Sequence, residues 1–277
     1  MVQSQAPIGI FDSGVGGLSV LKQIRLQMPT ESVLYLADQA HVPYGPRGLA
    51  EVQLFSEQIT RFLLGMGAKL VVVACNAASA AALQYLRQAF PSIAFVGMEP
   101  AVKPAAESTH SGVVGVLATP ATFQGALYAS VVERFASGVT ILQDTCPGLV
   151  GQIENNELDS AMTRAILEKA LRPMLEQGID TVVLGCTHYP FIIPLVKKIV
   201  GPEVRVIDPA PAVARQAARL LEMAGLRDTG TRSGVLRFFT SGEAARLTLQ
   251  LPTLLGETGE VRQIVWMGKE IHSVDGV

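Results

Sequence analysis

The sequence predicts an α/β protein built as two similar doubly wound domains, each with a mostly parallel sheet. Two observations carry this. Short runs rich in Val, Ile and Leu alternate with longer amphipathic runs through most of the 277 residues, as expected for strands buried on both faces by crossover helices. The pattern also restarts midway: IGIFDS at 8–13 resembles VGVLAT at 114–119, an offset of 106 residues, and VVVAC at 71–75 resembles VVLGC at 182–186, an offset of 111. Near-equal offsets point to two related domains, expected at 1–97 together with 210–277 and at 98–209. An eight-stranded αβ barrel is the competing architecture for this length. Ligands of open α/β sheets bind beyond the carboxyl ends of the strands, so the site is expected in the cleft between the domains.

In chain order, Ile8 to Phe11 reads as a strand, Asp12 to Gly17 as a glycine-rich turn, and Leu18 to Met28 as an amphipathic helix. Such a turn reads equally as an anion cradle at a helix amino end and as a plain βα connection. The glycine spacing is not that of a dinucleotide fingerprint. Val33 to Ala37 is a strand, closed by Asp38. The loop from Gln39 to Gly48 holds two prolines and two glycines, a shaped excursion. Leu49 to Met66 places Leu49, Val52, Phe55, Ile59, Phe62 and Met66 on one helical face. Leu70 to Ala74 is a strand ending on Cys75 and Asn76, Ala77 to Ala89 a helix, and Ile93 to Val96 a strand. After the restart, Gly112 to Leu117 is a strand ending in Ala118 to Thr122, and a helix follows to about Ala136. A strand follows at Val139 to Gln143, then helices at Pro147 to Asn156 and Asp159 to Gln177. Thr181 to Gly185 is a strand ending on Cys186, Thr187 and His188, with a helix after it. The remainder reads as a strand at Val204 to Ile207 and a helix at Pro209 to Ala224. A strand at Val235 to Phe239, a helix at Glu243 to Leu251 and a strand at Val261 to Trp266 complete it.

Composition narrows the function. Hydrophobic residues make up 49% and formal net charge is −2, enough apolar material for a large core and no basic surplus for nucleic acid. No apolar run is long enough to span a bilayer, and the first residues lack the basic and apolar regions of a signal peptide. A cytosolic location, with reduced thiols, is expected. The three cysteines are odd in number and contain no Cys-x-x-Cys pair, so neither a disulfide frame nor a zinc knuckle is indicated. No metal-ligand cluster is legible, and no lysine stands at a strand end in these motifs to hold pyridoxal phosphate.

Taken singly, the candidate residues say little. Cys75 reads as a small core residue. Cys186 has His188 two positions on, able to support its thiolate. Cys146 reads as structural. Asp12, Asp38 and Asp208 each read as caps, Glu154 as a solvated helix face, and Thr119, Thr122 and Thr187 as ordinary βα-turn residues. His41, His110 and His272 read as surface or satisfied interior residues. Their shared place at strand carboxyl ends is what joins them. Two matched thiols can flank a carbon acid, one as thiolate taking a proton and the other as thiol giving one to the opposite face. A free thiol, with a pKa of about 8.5, lies close enough to neutrality for either state. A thiol hydrolase using Cys186 and His188, and a non-catalytic binder of a small acid, are the alternatives.

The motifs Asp12-Ser13-Gly14-Val15-Gly16-Gly17-Leu18-Ser19-Val20, Pro43-Tyr44-Gly45, Ala74-Cys75-Asn76 and Gly185-Cys186-Thr187-His188-Tyr189-Pro190 together resemble the cofactor-independent glutamate racemases. The resemblance spans roughly the first 210 residues; the tail matches only in general pattern. It implies interconversion of L- and D-glutamate without a cofactor or metal. Cys75 would take the proton of D-glutamate and Cys186 that of L-glutamate, assisted by Asp12 and His188. Ser13, Asn76, Thr119, Thr122 and Thr187 would bind the amine and carboxylates. Pro43, Tyr44 and Gly45 would lie near the side-chain carboxylate, and Glu154 would be an auxiliary polar residue of the binding site. The resemblance further implies a cytoplasmic homodimer, glutamate as its small-molecule partner, and D-glutamate supplied to peptidoglycan. One departure stands out: Ala77 occupies a position that is usually threonine in the family. The amide is kept but a hydroxyl is lost, and Ser79 is the nearest replacement.

Overall fold

The computed structural model describes residues 3–273. The chain divides into two compact units, Met1–Met98 with Ala210–Val277, and Glu99–Pro209. The first begins with strand β1 (Ile8–Asp12), helix α1 (Leu18–Gln27), β2 (Val33–Ala37), α2 (Leu49–Gly65), β3 (Leu70–Val73), α3 (Asn76–Ala89) and β4 (Ala94–Gly97). Every residue of β1, β2 and β3 is buried, which is why these segments are uniformly apolar rather than alternating.

The second unit holds α4 (Val102–Ser108), β5 (Val113–Ala118), α5 (Pro120–Gln124), α6 (Ala126–Phe135), β6 (Thr140–Asp144), α7 (Leu149–Glu154), α8 (Ala161–Glu176), β7 (Thr181–Gly185), a 3-10 turn (Tyr189–Ile192), α9 (Ile193–Val200) and β8 (Arg205–Ile207). Its four strands lie in the order β6-β5-β7-β8, all parallel. One core cluster, including Leu149, Ile153, Leu171, Leu184 and Tyr189, packs α7, α8 and α9 against this sheet. A second, including Val102, Val114, Val116 and Tyr128, packs α4 and α6.

The chain then returns to the first unit with α10 (Ala210–Met223), β9 (Leu236–Thr240), α11 (Ala244–Leu254), β10 (Val261–Met267) and β11 (Glu270–Ser273). The seven-stranded order is β11-β10-β9-β2-β1-β3-β4, parallel except for the β10–β11 hairpin. The return segment is tied down from within. The Lys69 Nζ stands 2.6 Å from Glu31 Oε2, both side chains fully buried, and the same amine donates to the Leu226 carbonyl at 2.9 Å. Asp228 N–H donates to Glu31 Oε1 at 2.8 Å. A buried pair of this kind needs such extra partners to offset its desolvation.

Two open sheets replace the barrel alternative. Local differences from the expectation have local causes. The single helix expected after Thr122 is two helices, the first already begun at Pro120, because Gly125 is extended (φ −70°, ψ 136°). The helix expected from Pro147 begins at Leu149, because Gly148 is left-handed (φ 86°). Helix α4 and strand β11 were not expected, being short segments without a clear period. Glycine is required at position 17: a Cβ there would stand 2.8 Å from the Asp12 Cβ and 3.1 Å from the Tyr35 hydroxyl oxygen.

Candidate active site

In the first unit the polar residues gather at the carboxyl edge of β1, β2 and β3. Asp12 ends β1 and is fully buried; its Oδ1 accepts the Gly14 N–H at 2.7 Å. That bond holds the glycine turn against the strand. Tyr35 donates its hydroxyl to the Gly14 carbonyl at 2.8 Å, fixing the turn from the other side.

Cys75 follows β3 and serves as the N-cap of α3, in extended backbone (φ −137°). It is 5% exposed. The Ala78 N–H donates to its sulfur at 3.5 Å, and the thiol points to Ser13 Oγ at 3.8 Å. A helix amino terminus favours negative charge, so a thiolate formed here is met by fixed donors. Beside it, Asn76 is buried, and neither its amide oxygen nor its amide nitrogen has a hydrogen-bond partner. Buried polar groups are normally paired, so this amide has the character of a group awaiting a ligand. Ala77 is buried in the same turn. Ser79 does not stand in for the missing hydroxyl: its Oγ donates to the Val73 carbonyl at 3.0 Å and accepts the Met98 N–H at 2.9 Å.

Pro43 is exposed, while Tyr44 and Gly45 are buried. The Tyr44 hydroxyl donates to Asp38 Oδ2 at 2.6 Å. Burial first, then the Asp38 carboxylate, holds this phenol well above its usual range. The hydroxyl is thereby engaged by Asp38. Asp38 is more than a cap. It also meets His41 Nδ1 at 2.9 Å, Ser241 Oγ at 2.6 Å and Trp266 Nε1 at 2.9 Å.

In the second unit Cys186 follows β7 and is 6% exposed. Its sulfur lies 3.7 Å from His188 Nδ1. His188 Nε2 lies 2.6 Å from Glu154 Oε1, at the end of α7. Glu154 is buried, which corrects the reading of a solvated helix face. Sulfur, imidazole and carboxylate thus form a line in which the outer group orients the ring and the ring addresses the sulfur. Burial alone would lower the basicity of His188, but Cys186 and Glu154 outweigh it and raise its pKa well above the ordinary imidazole value.

Thr187 and Thr122 are buried. Thr119 caps α5, its Oγ1 3.2 Å from Thr122 Oγ1. Cys146 is buried in the core cluster that also contains Cys186. Its thiol is pushed far up, by burial first and by Asp144 next, so at neutral pH it stays protonated. Among the described residues no group of three or more His, Cys, Asp or Glu is placed to hold a metal ion.

Sequence reasoning missed two things here. It treated Asp38 as a cap, and it gave no role to Ser241 or Trp266. The one available signal was that Trp266 is the single tryptophan of the chain.

The family described as Asp/Glu/Hydantoin racemase matches residues 8–217. A protein named glutamate racemase from Roseiflexus sp. (strain RS-1) is 51% identical over 245 residues, covering 88% of this chain and 90% of its own. Among solved structures, a glutamate racemase of Bacillus anthracis superposes with a TM-score of 0.86 at 33% identity, covering 97% of this chain and all of its own. The Escherichia coli glutamate racemase, in complex with L-glutamate and the activator UDP-MurNAc-Ala, gives 0.83 at 31% identity, covering 95% and 100%.

Proposed function

We infer the reaction from one premise: the chain belongs to the Asp/Glu/Hydantoin racemase family and, within it, to the glutamate racemases. It is an amino-acid racemase that interconverts L- and D-glutamate. The observation that carries the mechanism is the matched placement of Cys75 and Cys186. Each follows a buried parallel strand, and each sulfur has a polar partner within 4 Å, Ser13 Oγ at 3.8 Å and His188 Nδ1 at 3.7 Å.

In this reading both thiols address one α-carbon. With L-glutamate bound, the Cys186 thiolate takes the α-proton, and the electron pair passes to the carbon and its carboxylate. The Cys75 thiol then gives its proton to the other face. The product is D-glutamate, and the two sulfurs have exchanged protonation states; the reverse reaction restores them. His188 assists Cys186 and Asp12 assists Cys75. Each pKa unit between carbon acid and thiol costs about 1.4 kcal/mol, so a gap of roughly ten units demands about 14 kcal/mol. Oriented donors, exclusion of water and positioning must supply it. Ser13, Asn76, Thr119, Thr122 and Thr187 bind the substrate, their O–H and N–H groups donating to the carboxylates and their oxygens accepting from the amine. The unpartnered Asn76 amide supports this most directly. The Pro43–Tyr44–Gly45 turn faces the side-chain carboxylate. Glu154, whose carboxylate meets the imidazole, orients His188 at the edge of the binding site. No cofactor takes part.

D-Glutamate made in this way enters peptidoglycan. The enzyme works in the cytoplasm as a homodimer. No described helix is long and apolar enough to cross a membrane. The deciding experiment is incubation with L-glutamate in D₂O, following optical rotation and loss of the α-proton signal. Racemisation with deuterium uptake is expected, and Cys75→Ala and Cys186→Ala should each lose at least about 10³-fold in kcat. Full racemisation in either variant overturns the two-thiol mechanism. Loss in Cys186→Ala alone would favour a hydrolase-like use of Cys186 and His188.

A further inference from the structure

The Asp38 carboxylate, fully buried at the end of β2, gathers donors from two distant parts of the chain. Tyr44 Oη at 2.6 Å and His41 Nδ1 at 2.9 Å come from the loop that follows it. Ser241 Oγ at 2.6 Å and Trp266 Nε1 at 2.9 Å come from the C-terminal strands. Those strands grip the loop elsewhere too. Ser241 N–H donates to the Ala37 carbonyl at 3.1 Å, and Ser241 Oγ accepts the Ala40 N–H at 3.0 Å. Thr240 donates to Gln39 Oε1 at 2.9 Å. The Trp266 ring stands edge-on to His41 and Phe55 with centroids 5.1 and 5.3 Å apart. Tyr44 leans on the same Phe55 at 5.6 Å.

We propose that Trp266 and Ser241 are positioning residues that fix the Pro43–Tyr44–Gly45 turn through Asp38, and so set affinity for the carboxylate of the substrate's side chain. This rests on the reading above, in which that turn faces the side-chain carboxylate. A carboxylate offers about four acceptor sites, and here four side chains approach them. The two donors from the strands leave Asp38 one orientation, and Asp38 in turn leaves the Tyr44 hydroxyl one direction. With the ring held, the backbone N–H groups of the turn are held as well. Removing the indole N–H leaves Oδ1 short of a donor and frees the carboxylate to turn. The turn serves the end of the substrate that does not react, so its contacts are the same before and during proton transfer. Loss of such contacts raises KM and spares kcat.

The experiment is steady-state kinetics with glutamate for Trp266→Phe, Ser241→Ala and Ser241→Thr, with far-UV circular dichroism and thermal unfolding as the check on fold. Trp266→Phe and Ser241→Ala should raise KM about 5- to 10-fold with kcat within about twofold of the parent, and Ser241→Thr, which keeps the donor, should restore KM. Tyr44→Phe combined with Trp266→Phe should raise KM no further than Tyr44→Phe alone, because both act through one carboxylate. An unchanged KM, a fall in kcat at constant KM, or multiplying effects in the double variant would overturn the proposal. If Trp266→Phe does not fold, the Ser241 pair decides alone. A parent enzyme that fails to racemise glutamate refutes the functional reading; tail variants with the parent's KM refute only this inference.

Discussion

Cys75 and Cys186 end equivalent strands in the two units, yet their support differs in kind. Cys75 rests on the fold itself: it caps α3, receives the Ala78 N–H, and points to the Ser13 hydroxyl. Cys186 stands beside a titratable ring, which is oriented by a buried carboxylate. Backbone donors do not change with pH; an imidazole does. Around Cys186 the hydrogen-bonded neighbour is thus an imidazole whose charge follows pH, whereas around Cys75 a helix amino end and a hydroxyl stand closest.

The largest expected effect that tests this contrast comes from the assisting groups. His188→Asn should lower kcat about 10²-fold, and Asp12→Asn should also lower it, by an amount within the 10²- to 10⁴-fold range of general acid–base loss. Enantiomers have equal free energy in water, so kcat/KM must remain the same in both directions for every variant. The asymmetry has to surface in primary deuterium isotope effects instead. His188→Asn should show the larger effect with L-[2-²H]glutamate, and Asp12→Asn with the D enantiomer. Equal effects from both substrates in both variants would dissolve the assignment of one thiol to each face.

A smaller effect comes from Glu154→Gln, expected to cost about tenfold in kcat by loosening the ring. Its sharper readout is pH. Burial opposes the charge on His188, but Cys186 and Glu154 together raise its pKa above the ordinary value. The raised value means that the imidazolium's contribution to stability is fully present below the unfolded pKa of about 6.5 and fades as pH rises through the folded one. Replacing Glu154 removes one of the raising groups, so that fade should move to lower pH in unfolding free energy measured by denaturant titration. A wild-type curve from Glu154→Gln would separate the carboxylate from the ring's ionisation.

The smallest effect belongs to Cys146→Ala. This thiol shares a core cluster with Cys186 but is held protonated by burial and by Asp144. The expected cost is about 1–2 kcal/mol of stability from lost packing, with kcat and KM within about twofold of the parent. A large kinetic loss in a folded variant would add Cys146 to the Cys186 side of the comparison.

How much of this was legible in the sequence depends on how far apart the partners lie. The thiols were readable because a strand buried on both faces announces itself as an apolar run, and the residue ending it is then fixed. His188 was readable because it is two positions from Cys186. Glu154 was named only through resemblance; read alone it was a solvated residue, since its burial arises from packing α7 on the second sheet. The two distant donors to Asp38 were illegible. Ser241 and Trp266 lie more than 200 residues away, and only the order of β2, β9 and β10 in one sheet brings them to its edge. Gly125 and Gly148 misled for a local reason: a glycine inside a helical period reads as tolerated until its backbone angles are known.

Gly17 meets no substrate in the mechanism above, yet the fold leaves it no freedom. The first carbon of any side chain there would press on the Cβ of Asp12 and on the Tyr35 hydroxyl. Even alanine, the gentlest exchange, would shoulder the acid away from its post at the end of β1. A substitution at position 17 would therefore reach the site by displacing its acid, without ever touching the substrate.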